Sequence, residues 1–192
     1  MTNAAILAGG RARRLGGRDK SQLRVEGRTI LERQLTALTG CVDRVLLVGY
    51  RGEPPFEGGF VTIEDRVPDR GPLGGLDAAL ARSGEAAVLL LACDMPFVTA
   101  PLLAHLVSQL GDFDAVVPRT ERGYHPLCAV YGQSCQVPAR RRLGQTQLRM
   151  RELLGDLRVR AVDTDELARF GGASRLLANV NTQADIDALG SL

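Results

Sequence analysis

Tryptophan is absent from the 192 residues, aromatics amount to 4% and there are only two histidines. A surface that stacks bases on aromatic platforms among basic side chains is therefore not encoded. With a formal net charge of +2, nothing argues for nucleic acid as a partner. The four cysteines, Cys41, Cys93, Cys128 and Cys135, form no C-x-x-C pair, which argues against a zinc ribbon or redox dithiol and for buried thiols in a reducing compartment. No apolar run approaches the roughly 20 residues that span a bilayer. The chain enters an apolar stretch at once, without the charged and apolar regions of a secretory leader. These absences lead us to expect a soluble, cytoplasmic protein that engages neither membrane nor nucleic acid.

What is present is ordinary for a globular protein: 45% hydrophobic and 24% charged residues, with a length that fits a single domain over 1–192. Apolar runs alternate with helical patterns, the signature of an α/β fold on a mostly parallel sheet flanked by helices. Strands are expected near Ala4–Leu7, Arg44–Val48, Phe60–Ile63, Ala86–Leu91, Ala115–Pro118, Leu127–Tyr131 and Val159–Ala161. Helices are expected over Thr29–Leu38, Leu73–Ala81, Pro101–Gln109, Ala139–Leu154 and Ala184–Leu189. Gly52–Gly59 reads as an exposed loop. In open sheets of this kind ligands bind beyond the carboxyl ends of the strands. The opening loop, Glu64–Asp65 and Cys93–Asp94 all fall at such ends and should converge on one cleft.

The opening segment Ala4–Lys20 carries the most chemistry. Gly9 and Gly10 end the first apolar run where the chain can turn sharply and approach a ligand. Successive N–H groups in such a turn favour an anion, and Arg11, Arg13, Arg14, Arg18 and Lys20 add positive charge. No Gly-Lys-Ser/Thr follows and the glycines lack the dinucleotide spacing, so neither common nucleotide loop applies. A strand and a Gly-Gly pair alone suit a plain turn equally well. Further on, the run A-A-V-L-L-L-A over Ala86–Ala92 must be buried on both faces, so Asp94 leaves the sheet at its carboxyl edge and Met95-Pro96 stops the strand. One carboxylate beside a triphosphate is the usual arrangement for Mg²⁺; the alternative is that Asp94 caps the turn before Thr99.

Taken together, Leu-Ala-Gly-Gly, three residues, Arg-Leu-Gly-Gly, one residue, Asp-Lys resembles the signature loop of nucleotidyltransferases. In detail it resembles that of the molybdenum cofactor guanylyltransferase (MobA) family, and the resemblance runs to the Asn179-Val180-Asn181-Thr182 segment. It implies a Rossmann-like nucleotidyltransferase fold and transfer of GMP from GTP to molybdopterin with release of pyrophosphate. It also implies Mg²⁺ on Asp94, and nucleotide contacts from Leu7, Ala8, Gly9, Gly10, Lys20 and Asp65, the last to base or metal unless it is a surface turn acid. Lys20 and Arg14 would stabilise the leaving pyrophosphate. Gly71-Pro72-Leu73 would line the nucleotide site at a helix N-terminus, although tight packing of that helix explains the glycines as well. Val48 stands where a typical member has asparagine, so any base contact there must come from backbone. His125 in H-P-L-C-A-V-Y, Asn179 and Asn181 would face the pterin, whereas Thr182 with Asp185 reads as a cap of the last helix. Arg140, Arg141, Arg142, Arg149 and Arg151 read as a solvated face, the alternative being a patch for anionic molybdopterin or an acceptor protein, whether a molybdoenzyme apo-protein or a cofactor-insertion protein. Other activities in view are CTP in place of GTP, a sugar phosphate as acceptor, or a degenerate member that only binds nucleotide or cofactor.

Overall fold

A computed structural model describes residues 1–8, 23–50, 60–64, 70–180, 182 and 184–185. In chain order the elements are β1 (Thr2–Leu7), β2 (Arg24–Val25), β3 (Arg28–Thr29), α1 (Ile30–Leu38), β4 (Arg44–Val48), β5 (Phe60–Ile63), α2 (Gly71–Ser83) and β6 (Ala87–Ala92). They are followed by α3 (Ala100–Ser108), β7 (Ala115–Thr120), β8 (Gly123–Tyr124), β9 (Cys128–Tyr131), α4 (Gln136–Gly144), α5 (Met150–Leu153), β10 (Val159–Val162), α6 (Thr164–Leu167) and α7 (Ala173–Leu176). The main sheet has the order β10-β7-β9-β6-β1-β4-β5. The pairings β6–β1, β1–β4, β4–β5 and β7–β10 are parallel, and β9 runs antiparallel to both of its neighbours. The mostly parallel α/β sheet read from the sequence is therefore the one observed.

Period-two alternation distributes the strand side chains between two layers. Ala4, Ile6, Leu47, Leu89, Leu91 and Val130 pack with Leu31, Leu35 and Leu38 of α1 and Leu102, Leu103 and Leu106 of α3 on one face. Ala5, Leu46, Val48, Val88, Leu90 and Tyr131 pack with Leu73, Leu76 and Leu80 of α2 and with Ala139, Met150 and Leu153 on the other. β6 is buried along its whole length, as its uninterrupted apolar run requires. A small third cluster of Val25, Ile30, Phe97 and Val180 sits beside the two layers. α1 opens on a capping box, Thr29 accepting from the Glu32 N–H while the Glu32 carboxylate accepts from the Thr29 N–H.

The expected helix over Ala139–Leu154 is two helices. α4 stops at Gly144, Thr146 takes a left-handed φ of 59°, and α5 restarts at Met150. The stop is local: with Thr146 left-handed, the Gln147 N–H donates to the Arg142 carbonyl at 2.9 Å and the Thr146 N–H to the Leu143 carbonyl at 3.2 Å, which closes the last turn of α4. The β2–β3 hairpin, turning through Glu26 and Gly27 at positive φ, and the short α6 and α7 are additional to the elements expected. Thr182 and Asp185 exchange the reciprocal bonds of a cap, as anticipated; the helix expected beyond Asp185, through Leu189, lies outside the described residues. Among the described residues no helix is long and apolar enough to cross a membrane.

Candidate active site

Four strand ends stand in one row. Leu7 pairs in register with Val48 on one side and Ala92 on the other, and Val48 pairs with Ile63. The ladder runs one step further, Ala8 N–H donating to the Val48 carbonyl at 3.0 Å and Gly49 N–H to the Ile63 carbonyl at 2.8 Å. Ala8, Glu64 and Cys93–Asp94 thus stand at one edge of the sheet. Leu7 is half-buried and Ala8 buried. Val48 is buried with its side chain in the core and its carbonyl engaged by Ala8, so it presents no side chain to a base. Gly9, Gly10, Arg14, Lys20, Asp65 and Asn181 lie outside the described residues.

Asp94 is half-buried just past β6 and held from several directions. The Asn179 side-chain amide donates to Oδ1 at 2.7 Å, and the Val180 N–H donates to the Asp94 carbonyl at 2.8 Å. The sequence places these residues 85 positions apart; the fold joins the carboxylate assigned to the metal and the asparagine assigned to the pterin. The N-cap of α3 is Thr99, five residues beyond Asp94. From beneath, Gln34 of α1, with no exposed surface, donates through Nε2 to the carbonyls of Ala92 at 2.7 Å and Met95 at 3.1 Å, and Arg33 Nε donates to the Pro96 carbonyl at 3.0 Å. Sequence reasoning missed Gln34. Its signal was a polar residue on the buried stripe with Ile30, Leu31, Leu35 and Leu38.

Beside Asp94 opens a cleft of about 480 Å³, walled by Pro72, Met95, Tyr124, His125, Leu127, Leu148, Arg149, Met150, Arg151 and Asn179. Pro72 and Gly71 are exposed in the first turn of α2, where no side chain caps the N–H groups, whereas Leu73 is buried beneath them. His125 precedes β9 in a turn rather than lying in the strand, its N–H bonded to the Pro118 carbonyl. Its Nε2 is 2.9 Å from Thr120 Oγ1. Burial, and then the charges of Arg151 and Arg122, hold its pKa below the ordinary histidine range, which keeps the ring neutral at pH 7. Burial pushes the Cys128 thiol, on the cleft's inner wall, and that of Cys135 up to about 12. Both thiols are consequently poor nucleophiles at neutral pH.

The arginine run divides. Arg140 pairs with Asp77 of α2 at 2.8 Å, and Arg141 and Arg142 pair with Asp156 at 2.9 and 2.6 Å. These three tie α4 to its surroundings. Arg149 and Arg151, displaced by the break at Gln145–Leu148, line the cleft instead. Arg151 donates to the Arg122 carbonyl at 3.3 Å, and Arg149 lies 3.4 Å from Glu152 with its side chain 85% exposed. Arg140, Arg141, Arg149 and Arg151 are exposed, as the solvated reading expects, and Arg142 is half-buried.

Four aligned carboxyl ends of a parallel sheet, with the half-buried Asp94 just past β6 and the first turn of α2 lining the adjoining cleft, form the α/β arrangement in which ligands bind beyond the strand ends. Residues 4–162 match the family described as the MobA-like NTP transferase domain, and the chain belongs to that family. A molybdenum cofactor guanylyltransferase of Desulfosudis oleivorans is 30% identical over 95% of this chain and 91% of its own length. A probable molybdenum cofactor guanylyltransferase of Pelotomaculum thermopropionicum is 31% identical over 97% and 90%. Among solved structures, molybdopterin-guanine dinucleotide biosynthesis protein A of Archaeoglobus fulgidus superposes with a TM-score of 0.80 at 27% identity, covering 98% of this chain and 97% of that one.

Proposed function

We propose that this nucleotidyltransferase moves GMP from GTP to molybdopterin, forming the guanine dinucleotide of the cofactor and pyrophosphate. The observation that carries the reading is the hydrogen bond between Asp94 and Asn179, at the junction of the four strand ends and the cleft. It brings the nucleotide edge and the wall assigned to the pterin together at one carboxylate. The names of the relatives, which share about 30% identity along nearly the whole chain, support the same two substrates.

In this reading an oxygen of the molybdopterin phosphate attacks the α-phosphorus of GTP. A new P–O–P linkage forms, the bond from the α-phosphorus to the bridging oxygen breaks, and pyrophosphate leaves with the electron pair. The attacking phosphate is ionised at neutral pH, so no general base is needed. A neutral His125 held by Thr120 suits a wall rather than a proton carrier. Arg149 and Arg151 bring positive charge to the side from which an anionic acceptor enters. Lys20, Arg14 and the amides of Gly9 and Gly10 would receive the pyrophosphate, with Asp65 beside the base or metal, Asn181 toward the pterin, and the first turn of α2 against the nucleotide.

Asp94 suits Mg²⁺. Among the described residues no group of three or more His, Cys, Asp or Glu side chains forms a protein cage for an ion. A single carboxylate oriented by an amide is the donor set that such an ion uses when phosphates and water complete its shell. When bound, Mg²⁺ would neutralise the charge that grows on the phosphates. Incubation with molybdopterin and GTP, with Mg²⁺ or with EDTA, tests the reading. Pyrophosphate and a guanylylated pterin are expected only with the metal, and their absence with Mg²⁺ present would refute it.

A further inference from the structure

A buried glutamine among leucines is costly, and more so when it is only half satisfied. Gln34 has no exposed surface, and its Oε1 has no hydrogen-bond partner among the described residues. An unmet buried acceptor opposes folding, so the side chain is not explained by packing. Its Nε2 supplies what the loop above it lacks. Both hydrogens of the amide are committed, one to the Ala92 carbonyl and one to the Met95 carbonyl, the two peptide groups that bracket Cys93–Asp94. A strand that ends in a tight turn leaves carbonyls without ladder partners, and one primary amide, with two donors on one nitrogen, can hold both at a set separation. The adjacent Arg33 takes the next carbonyl, that of Pro96. On the far side Val180 and Asn179 hold the Asp94 backbone and carboxylate.

We infer that Gln34 is a positioning residue for nucleotidyl transfer: by clamping the Ala92 and Met95 carbonyls from inside the core, it sets where the Asp94 carboxylate points. It touches neither substrate and acts only through Asp94. The inference rests on the role given to Asp94 above. A shift of the order of 1 Å in such a group costs about a hundred-fold in rate, which sets the scale of the effect.

Gln34→Met preserves length and approximate volume while removing both donors, and it should fold with a lowered but cooperative melt. Its kcat should fall by about 10- to 100-fold, with KM for GTP changed by no more than about three-fold, since the binding loops are untouched. Gln34→Glu, as the neutral acid that burial favours, keeps one donor and should lose less. Because Gln34 works through Asp94, adding Gln34→Met to Asp94→Asn should slow the single Asp94→Asn variant by less than about two-fold. A folded Gln34→Met enzyme with near-normal kcat beside a slow Asp94→Asn enzyme would overturn the clamp and leave the site reading intact. A double variant showing the full product of both losses would likewise overturn it. A fast Asp94→Asn enzyme would overturn both. Should Gln34→Met fail to fold, Gln34→Glu is judged by the same three comparisons.

Discussion

The two sides of β6 make their ligand-facing edges from different materials. On one side β1, β4 and β5 run parallel to it, and the residues in the last paired row, Leu7, Val48 and Ile63, are apolar. Their contribution to chemistry is backbone and the loops they launch. On the other side β9 runs the opposite way, so its amino-terminal approach arrives where the other strands end, and Leu127 accepts the Ala92 N–H at 2.8 Å. That reversal replaces an outgoing loop with a turn that carries His125, and side chains from α5 and the Asn179 segment complete a walled cleft. One inverted strand thus sets a half made of strand ends and the loops they launch, which the proposal gives to the nucleotide, against a side-chain-lined cleft, which it gives to the acceptor. Asp94 stands on the seam.

The sharpest way to break this comparison is at the seam. Asp94→Asn should leave the fold intact and reduce turnover by about 10²- to 10³-fold, because the amide retains size and loses the charge that attracts a divalent ion. Rates from single-turnover assays beside a thermal melt check it, and a near-normal Mg²⁺-dependent rate would remove the metal from Asp94. A smaller effect separates the arginines. Replacing Arg149 and Arg151 together by Met should raise KM for molybdopterin by about ten-fold at low salt, with less difference at high salt, and leave KM for GTP unchanged. Arg142→Met should do the reverse, sparing both KM values and lowering the thermal midpoint as its partly buried pairs with Asp156 and Glu152 are lost.

The smallest expected effect is on pH dependence. The folded-state pKa of His125 lies below its unfolded value, so the unfolded chain binds the extra proton first. The contribution of the neutral ring is complete above the unfolded value of about 6.5 and is lost as pH falls through the folded one. Urea midpoints of the wild-type protein should therefore drop more between pH 7 and pH 5 than those of His125→Gln. Equal drops would mean that the ring is not held neutral.

Legibility in the sequence followed the same division. The strands Arg44–Val48 and Phe60–Ile63 match their expected bounds, and Asp94 emerges from β6 as read. β6, and β4 past Arg44, are buried in the parallel sheet and apolar up to the glycine or charge that ends them, whereas β5 is an exposed edge strand bounded by Gly59 and Glu64 in the sequence. Partners distant in the chain were not legible. Arg140 and Arg149 look alike in a basic run, and only the fold gives one to Asp77 and the other to the cleft. The break after Gly144 closes on a left-handed Thr146, a residue type that does not announce such a turn, so glycine was its one visible sign. Gln34 was visible only as a polar residue on an apolar stripe, and the carbonyls it serves lie 58 and 61 residues away.

The claim that the half formed by the parallel strand ends accepts a guanine nucleotide and the cleft accepts molybdopterin is tested most directly by competition. With all four nucleoside triphosphates equimolar, Mg²⁺ present and molybdopterin as acceptor, the mass of the pterin product reports both choices at once. Guanine offers paired N–H donors that cytosine lacks, and an acceptor left unmet by the wrong base costs roughly 1–3 kcal/mol. The account accordingly predicts guanine dinucleotide in about ten-fold to hundred-fold excess over the cytosine product. Mostly cytidylylated pterin, or pterin left unmodified while the triphosphates are consumed, would contradict it.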